Sequence, residues 1–522
     1  MSKQAAFSQN IQEGYTFKGR FINLGGAMLD GEVVPDAMVR LPLKMMNRHG
    51  LIAGATGSGK TKTLQILAEQ LSSQGVPVLL MDVKGDLSGI AVPSEGHAKI
   101  DERHAKIGIP FEAGDSPVEF LTLSDEKGAR LRATVTEFGP TLFSKILELN
   151  NTQSGIVSIL FKYCDDNELA LLDLDDFKKV LQYATGDGRK ELEAEYGRIS
   201  TVSAGSILRK IVELEQQGAD VFFGETSFDV QDLLRTREDK GIVSILRLTD
   251  IQDKPKLFST FMLQMLAEVY ATFPEEGDSE KPKLVIFIDE AHLVFDEASK
   301  ALLDQIESIV KLIRSKGVGL YFVTQNPTDI PDDVLSQLGL KMQHALRAFT
   351  AKDRKAIKLA AQNYPDSEYY DTAALLTELG IGEALVTTLN EKGIPTPLAH
   401  TMLRAPQSRM DVLSKSEIEA VLDQSEVIEK YNEVINRESA YEILSGKMEE
   451  AQEDKHKEEM TKQRKKASKG KKEKSALEKV ASNTTTRQIG RTVARELTRG
   501  LLGVLGIKTS TRRRSRKKTG WF

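Results

Sequence analysis

The sequence predicts an α/β fold in which a mostly parallel sheet is flanked by helices, with a helical insertion and a basic helical C-terminal tail. Short apolar runs alternate with stretches of helical spacing, which is the pattern of parallel strands joined by crossover helices. The runs are almost continuously apolar, as expected of strands covered on both faces. The clearest strands are 51–54, 76–82, 241–248, 284–289, 317–325 and 383–389.

Changes in apolar pattern and composition divide the 522 residues into six predicted segments. A core is interrupted by a long stretch of helical spacing, which we interpret as an insertion. Beyond the core the chain becomes helical and then dense in Lys, Glu and Gln, which is typical of a linker or a solvated helix. The predicted segments are an N-terminal segment leading into the core (1–50), the core (51–90 and 241–405), the mostly helical insertion (91–240), a helical extension (406–450), a charged linker (451–483) and a basic amphipathic helix with its tail (484–522).

Composition favours a cytoplasmic protein. The single cysteine, Cys164, excludes an internal disulfide framework and fits a reducing compartment. Residues 1–14 lack the apolar core of a signal peptide, and no apolar run approaches the roughly 18 residues that a transmembrane helix needs.

Charge is unevenly spread along the chain. Residues 451–522 hold 22 Lys and Arg against 7 Asp and Glu, so they carry +15, whereas the rest carries −20. A basic tail on an acidic body suggests that the tail binds a polyanion, an anionic membrane surface or the body itself.

A phosphate-binding loop is predicted where an apolar run meets a helical stretch. The letters GATGSGKT match G-x-x-x-x-G-K-[ST], and strand–loop–helix is the context that this motif requires. Glycines let backbone N–H groups surround phosphate oxygens, Lys60 reaches the β- and γ-phosphates, and the Thr61 hydroxyl is a ligand of Mg²⁺. The alternative is a purely structural glycine-rich turn. We expect a P-loop NTPase that uses ATP and Mg²⁺, with nucleotide contacts from Gly54, Ala55, Thr56, Gly57, Ser58, Gly59, Lys60, Thr61 and Lys62.

An acidic pair follows the apolar strand LVIFI. Asp289, at the carboxyl end of this strand, is expected to hold Mg²⁺ through water, and Glu290 to orient or polarise the attacking water. We expect this strand to neighbour the strand before Gly54, so that Lys60 and Asp289 meet at one magnesium-bound triphosphate. The alternative is a buried strand that ends in a solvated acidic turn. His292 either packs behind the strand or takes part in catalysis. The letters DEAH also occur in one large helicase class. The residues downstream therefore have to distinguish a helicase of that class from another nucleotide-driven motor.

Two polar residues downstream complete the predicted catalytic set with Lys60 and Glu290. Gln325 ends the strand GVGLYFVT, where it can sense the γ-phosphate or position water. Arg314 follows a helix and is placed where its guanidinium can reach the nucleotide of an adjacent subunit, as an arginine finger does. The alternatives are a turn-forming glutamine and a helix C-terminal arginine favoured by the helix dipole.

The combination GATGSGKT, FIDEAH, RSKGVG and TQNP resembles the HerA–FtsK superfamily of ring-forming P-loop ATPases and looks closest to the bacterial HerA-like ATPases. The stretches 81–86 and 344–357 are also similar, and the resemblance covers roughly residues 40–400. It implies a RecA/FtsK-like sheet and a hexameric homo-oligomer that hydrolyses ATP between subunits. Several members of the superfamily translocate double-stranded DNA through the central channel.

The resemblance also implies a role for each matching residue. These roles are the Walker functions for Lys60, Thr61, Asp289 and Glu290, the sensor function for Gln325 and the trans-acting finger for Arg314.

Some properties of neighbouring families do not carry over. HerA proper has an N-terminal β-barrel, whereas only some 50 residues precede Gly54, so a partner recognised by that barrel is not implied, and neither is the nuclease that accompanies archaeal HerA. Sensor and finger spacing is foreign to the DEAH helicases. A guanine-reading N-K-x-D motif at 326–329 is disfavoured, because Pro327 replaces the lysine that would cover the base.

Residues 484–507 predict an amphipathic helix. Arginines recur every four residues, and apolar residues recur likewise two positions on, about 200° around the helix. The two ridges are Arg487, Arg491, Arg495 and Arg499, and Ile489, Val493, Leu497 and Leu501. The tail 484–518 could bind DNA phosphates, lie on an anionic membrane or dock its apolar ridge on a protein. The alternative is a solvated charge run.

These observations favour an ATP-hydrolysing ring motor, a homo-oligomer that acts on double-stranded DNA. Two alternatives remain open, a ring ATPase that acts on protein and an ATP-gated scaffold that does not translocate. ATP hydrolysis stimulated by duplex DNA would distinguish the first from the other two.

Overall fold

The computed structural model describes residues 2–473, except 253, 278, 296–299, 434 and 436. By its contacts the chain divides into two compact units, Met1–Met448 and Glu449–Phe522. In the second unit the described residues, 449–473, are helical, and their described side chains are almost all exposed. The amphipathic helix predicted at 484–507, and with it the tail 484–518, lies outside the described residues.

Fourteen strands occur in the described part of the chain. They are β1 (Phe21–Leu29), β2 (Glu32–Pro42), β3 (Gly50–Ala53), β4 (Val78–Asp82), β5 (Val118–Thr122), β6 (Ala129–Arg130), β7 (Thr236–Arg237), β8 (Lys240–Gly241), β9 (Val243–Arg247), β10 (Leu284–Ile288), β11 (Val318–Thr324), β12 (Leu340–Gln343), β13 (Glu383–Thr387) and β14 (Ala399–Leu403).

The described α-helices include α1 (Lys3–Tyr15), α2 (Lys60–Ser73) and α3 (Ala98–Ile107). A run of helices follows: α4 (Val135–Ile146), α5 (Asn151–Asp166), α6 (Leu174–Thr185), α7 (Arg189–Glu195), α8 (Thr201–Glu215) and α9 (Ala219–Phe222). The remaining helices are α10 (Pro255–Thr272), α11 (His292–Phe295), α12 (Lys300–Ile313), α13 (Asp332–Leu335), α14 (Ala351–Gln362), α15 (Thr372–Glu378), α16 (Lys415–Leu422), α17 (Ile428–Asn432) and α18 (Ala440–Glu473).

One twelve-stranded sheet forms the centre of the first unit, in the order β2-β1-β14-β13-β12-β3-β11-β10-β4-β9-β5-β6. The eight strands from β12 to β6 are parallel. The four at the other end, from β13 to β2, pair antiparallel. The predicted α/β fold with a mostly parallel sheet is therefore confirmed, and each of the six predicted strands is present.

Apolar side chains cover both faces of the parallel strands. In β10, Leu284, Ile286 and Ile288 pack into one cluster with residues of α10 and α12. Val285 and Phe287 point the other way, into a second cluster that includes residues of α2. Burial on both faces explains why these strands are continuously apolar rather than alternating.

The N-terminal residues do more than lead into the core. The predicted segment 1–50 contains α1 and the long antiparallel pair β1–β2, and β1 joins the sheet beside β14. A Cβ at Gly25 would lie 1.9 Å from the backbone oxygen of Met402, so this approach of two strands requires glycine. We did not foresee these strands, because glycines and Pro35 interrupt their apolar pattern.

The stretch 91–240 is mostly helical, but part of it belongs to the sheet. Helices α4, α5 and α6 share an aromatic cluster in which Phe143 contacts Phe161, Phe177 and Phe223, the residue after α9. In contrast, β5 and β6 pair in parallel at the edge of the sheet, next to β9. The predicted insertion therefore includes two core strands that we interpreted as part of the helical region.

A buried charge explains why β5 was missed. Glu119, in the middle of this strand, is fully buried and lies 3.6 and 3.8 Å from the guanidinium groups of Arg235 and Arg237. Its carboxylate also accepts hydrogen bonds from Ser425 and from the backbone of Glu426. All four partners are distant in sequence, so nothing near Glu119 indicates that it is buried.

Helices of the C-terminal part follow β14. The predicted extension 406–450 contains α16, α17 and the start of α18, and α18 is described as far as Glu473. Among the described helices, none combines the length and the apolar character needed to cross a bilayer.

Candidate nucleotide-binding site

The loop between β3 and α2 is hydrogen-bonded to the ends of β11 and β12, the two strands that flank β3. The Gly54 N–H donates to the Thr324 carbonyl at the end of β11, and the Ala55 N–H donates to the Ala345 carbonyl just after β12. Gly54 has φ 154° and Gly59, immediately before α2, has φ 112°, conformations that L side chains rarely adopt. A Cβ at Gly54 would also lie 2.5 Å from the Cβ of His344. The glycines of the motif are therefore required by backbone geometry.

Lys60 is the first residue of α2, and its ammonium points back into the loop. Nζ donates to the Gly54 carbonyl at 2.6 Å and to the Ala55 carbonyl at 3.2 Å. Burial and the positive charge of Lys84 lower the pKa of Lys60, while Glu290 and Asp289 act in the opposite direction. The charges of the predicted acidic pair thus act on the predicted phosphate-binding lysine.

Asp289 and Glu290 follow β10 directly and are both buried, 4% and 5% exposed. Asp289 Oδ2 has no hydrogen-bond partner among the described residues. Burial raises the pKa of Asp289 from 3.8 to about 7, although Lys84 opposes the rise. Glu290 has φ 47°, in the left-handed region that non-glycine residues avoid, and such strain is often retained at functional sites.

The two predicted elements are not on adjacent strands. β11 lies between β3 and β10 and pairs in parallel with both. We expected Lys60 and Asp289 to extend from neighbouring strands, and that expectation was wrong. The correction places Gln325, which follows β11, between the loop and the acidic pair.

Gln325 is exposed and faces the tip of the loop. The Thr56 hydroxyl donates to Gln325 Oε1 at 3.4 Å. Both residues line a cavity of about 150 Å³ together with Arg347, which follows β12. A polar group at this place can contact the terminal phosphate of a nucleotide held by the loop.

Lys84 adds a second cation that we did not assign to the site. It follows β4, the other neighbour of β10, and its ammonium forms an ion pair with Glu290. Burial lowers the pKa of Lys84, but the hydrogen bond to Glu290 and the charges of Asp289 and Glu290 outweigh burial, so the pKa is raised overall. His292 completes the surroundings, with Nδ1 3.3 Å from Glu290 Oε2, and thus faces the site instead of packing behind the strand.

An apolar cavity of about 280 Å³ opens on the other side of the α2 N-terminus. Its walls include Lys62, Ile66, Ile100, Leu403 and Met410. The Lys62 ammonium donates to the Met410 carbonyl at 2.6 Å, so the side chain of this predicted nucleotide contact is directed to the cavity wall.

Buried polar contacts hold that wall in place. The carboxylate of Glu69, in α2, accepts hydrogen bonds from the Gln407 and Ser408 N–H groups and from the Ser408 hydroxyl. Arg103 donates to the carbonyls of Ile381, Gly382 and Leu403 on the opposite side. The cavity is therefore built by segments that are far apart in sequence.

Arg314 lies away from the site of its own chain. It begins a short 3₁₀ turn, Arg314–Lys316, just before β11, whereas Gln325 follows the same strand. β11 has 7 residues, so Arg314 and Gln325 lie at opposite edges of the sheet, roughly 20 Å apart at about 3.3 Å per residue. A guanidinium at that distance cannot contact the nucleotide loop of the same chain.

The residues at the site fit a magnesium-bound triphosphate. On Asp289, a buried carboxylate oxygen without a hydrogen-bond partner among the described residues is the kind of hard oxygen ligand that Mg²⁺ prefers, and Thr61 is the second residue of α2. When bound, the cation would neutralise charge on the phosphate oxygens. The roles of the individual site residues stay predictions.

The helicase HerA-like C-terminal family model matches residues 28–510. This match is longer at both ends than the resemblance seen at 40–400. The DNA double-strand break repair helicases HerA of Sulfolobus acidocaldarius and Sulfurisphaera tokodaii are each 23% identical, over 361 and 355 residues. Each alignment covers 67% of this chain and 64% of the relative, so the chain matches slightly less than two thirds of their length.

A solved structure shares the fold. The bacterial conjugative coupling protein TrwBdeltaN70, in its unbound monoclinic form, superposes with a TM-score of 0.51 at 14% sequence identity. The alignment covers 78% of this chain and 94% of that protein. The likeness therefore includes most of both chains.

Proposed function

Because this chain belongs to the helicase HerA-like C-terminal family, we propose that it forms a ring and uses ATP hydrolysis to move double-stranded DNA. The chain is a P-loop ATPase by family and fold, with ATP and Mg²⁺ as the cofactors that its site fits. Ring assembly, the DNA substrate and the roles of single residues are the parts that we propose.

One observation carries the proposal: the ends of β3, β11 and β10 bring Lys60, Gln325, Asp289 and Glu290 to one edge of the sheet. Lys60 would bind the β- and γ-phosphates, and Thr61 and Asp289 would hold Mg²⁺. Glu290 would orient the attacking water, and Gln325 would contact the γ-phosphate. Phosphoryl transfer needs little beyond such positioning and charge stabilisation.

The apolar cavity beside Lys62 supports a place for the nucleoside. A phosphate chain that ends over the N-terminus of α2 leaves its ribose and base on this side of the loop. Apolar walls bury the faces of a base well, and few polar groups are then needed to fix its orientation.

The position of Arg314 supports a site shared between subunits. At a rise of about 3.3 Å per residue, β11 separates Arg314 from Gln325 of the same subunit by roughly 20 Å. The nucleotide that Arg314 can reach therefore belongs to another subunit. Arg314 lines a cavity of about 440 Å³ together with Arg48 and Lys311, which add positive charge. A ring brings this edge of one subunit against the nucleotide edge of the next, and an arginine finger supplied in this way accelerates hydrolysis strongly.

Two findings favour duplex DNA as the substrate. The relatives in Sulfolobus acidocaldarius and Sulfurisphaera tokodaii are DNA double-strand break repair helicases. The charge of +15 on residues 451–522 also favours a polyanion.

The experiment is steady-state ATP hydrolysis by the full chain, with and without linear duplex DNA, together with the mass of the particle in solution. We expect duplex DNA to stimulate hydrolysis several-fold, a particle of several subunits, and loss of DNA binding with rising salt. Lys60→Ala is the control for activity that does not come from this site. Hydrolysis that is indifferent to DNA would favour a protein substrate, and a monomer at all concentrations would refute the ring.

A further inference from the structure

The loop after β4 is held rigidly at the nucleotide edge of the sheet. The carboxylate of Asp82 accepts hydrogen bonds from the N–H groups of Gly85, Asp86 and Leu87, at 2.7, 3.2 and 3.1 Å. Gln252 donates to the Val83 carbonyl at 2.6 Å. Because four contacts fix this backbone, the fold determines the point from which the Lys84 side chain extends.

Lys84 reaches from this loop to Glu290. The two side chains form an ion pair in which the Lys84 side chain is 38% exposed and that of Glu290 is 7% exposed. The lysine therefore covers the buried carboxylate on its solvent side. His292 lies on the second carboxylate oxygen at 3.3 Å, and the charges of Asp289 and Asp86 also act on Lys84.

This arrangement has a consequence for the reaction. A carboxylate orients water through its lone pairs, and an ammonium paired with one of its oxygens competes with water for them and offsets its charge. Lys84 is also close enough to Lys60 for the two charges to repel each other. A γ-phosphate on Lys60 would replace this repulsion with attraction for both ammonium groups.

We propose that Lys84 is a phosphate-sensing residue that binds Glu290 when no triphosphate is present and transfers to the γ-phosphate when ATP binds. The exchange frees Glu290 to orient water only when a γ-phosphate is in place. ADP lacks that phosphate and leaves the ion pair intact. This inference rests on the proposed function, because it assigns a further role within the same site.

The test is the affinity of the full-length protein for ADP and for β,γ-imido-ATP, measured by calorimetry with Mg²⁺. In Lys84→Met, we expect affinity for the triphosphate analogue to fall about tenfold or more, since a charge-assisted hydrogen bond is lost. Affinity for ADP should stay within about twofold, which also shows that the variant is folded. Lys84→Arg keeps the charge and should retain most of the preference for the analogue.

A second variant tests the exchange itself. Glu290→Gln removes the carboxylate that competes for Lys84, so it should bind the triphosphate analogue several-fold more tightly, with little effect on ADP. In the double variant with Lys84→Met this gain should disappear. The matched control is Lys178→Met, because Lys178 forms an ion pair with Glu215 in the helical region, and both affinities should be unchanged.

The outcomes separate this inference from the proposed function. Equal losses for ADP and the analogue in Lys84→Met, or no loss for either, would overturn the inference. So would a gain from Glu290→Gln that persists without Lys84. A wild-type protein that binds neither nucleotide would instead refute the proposed function.

Discussion

Asp289→Asn should stabilise the ligand-free protein while it disables the site. The carboxyl group of Asp289 is buried, one of its oxygens has no hydrogen-bond partner among the described residues, and burial raises its pKa from 3.8 to about 7. At about 1.4 kcal/mol per pKa unit, this rise means that ionised Asp289 lowers the free energy of unfolding by about 4 kcal/mol.

The sign of the pH dependence follows from the raised pKa. Between pH 3.8 and about 7 the unfolded chain has lost this proton and the folded chain still holds it, so stability falls as pH rises and the cost is complete above pH 7. Asparagine carries no charge at any pH. The gain from the substitution should therefore be larger at pH 8 than at pH 5, by about 2–3 kcal/mol.

The assay is thermal unfolding of the wild type and of Asp289→Asn at pH 5 and pH 8, without nucleotide or Mg²⁺. We expect the melting temperature of the variant to exceed that of the wild type by a few degrees at pH 8 and by less at pH 5. Asp333→Asn, an exposed aspartate in α13, is the matched control. An equal rise in melting temperature at both pH values, or a fall at pH 8, would refute the claim that the buried charge of Asp289 destabilises the folded protein.

Three further predictions concern the loop, the subunit interface and the sheet. Lys60→Ala should abolish ATP hydrolysis, because it removes the ammonium that would neutralise charge on the β- and γ-phosphates; undiminished steady-state turnover would contradict it. Arg314→Ala should be inactive alone but regain partial activity when mixed with Lys60→Ala, since mixed rings contain sites with both residues intact; mixing that restores nothing would argue against a finger acting in trans. Gly25→Val should lower the melting temperature by several degrees, because its Cβ would lie 1.9 Å from the Met402 oxygen, whereas Gly155→Ala in α5, with nothing within 4 Å of its Cβ, should leave it unchanged or slightly higher.

The parallel core was predictable because its strands carry their own signal. β3, β4, β9, β10 and β11 are buried on both faces, so each is a mostly apolar run whose meaning does not depend on distant residues. The loop before α2 was predictable for a related reason, since a motif of fixed spacing encodes its backbone geometry locally.

The strands that we missed depend on contacts that are remote in sequence. β1 carries Gly25 because the backbone of Met402 approaches it, and β5 tolerates Glu119 because Arg235 and Arg237 lie beside it. In each case the local sequence argues against a strand, and only the partner explains the residue. The short strands β12 and β14 were missed as well, and both contain polar residues within four or five positions.

In the candidate site, too, some features could be predicted from the local sequence and others depend on contacts that are remote in sequence. The residues of the two motifs follow the strands from which they were predicted to extend, but the place of β11 between β3 and β10 was not foreseen, since strand order cannot be deduced from the motifs alone. Lys84 and Arg347 also belong to the surroundings of the site. Both are in stretches that we noted as similar to the family, 81–86 and 344–357. A basic residue just after a predicted core strand is the signal that could have found Lys84, whereas Arg347 follows β12, a strand that was not predicted.

The most direct test of the central claim is a structure of the protein with Mg²⁺ and a non-hydrolysable ATP analogue. We expect Lys60 Nζ to leave the carbonyls of Gly54 and Ala55 for the phosphates, with Asp289 on the same magnesium-bound triphosphate. A nucleotide bound elsewhere, with Lys60 still on those two carbonyls, would contradict it.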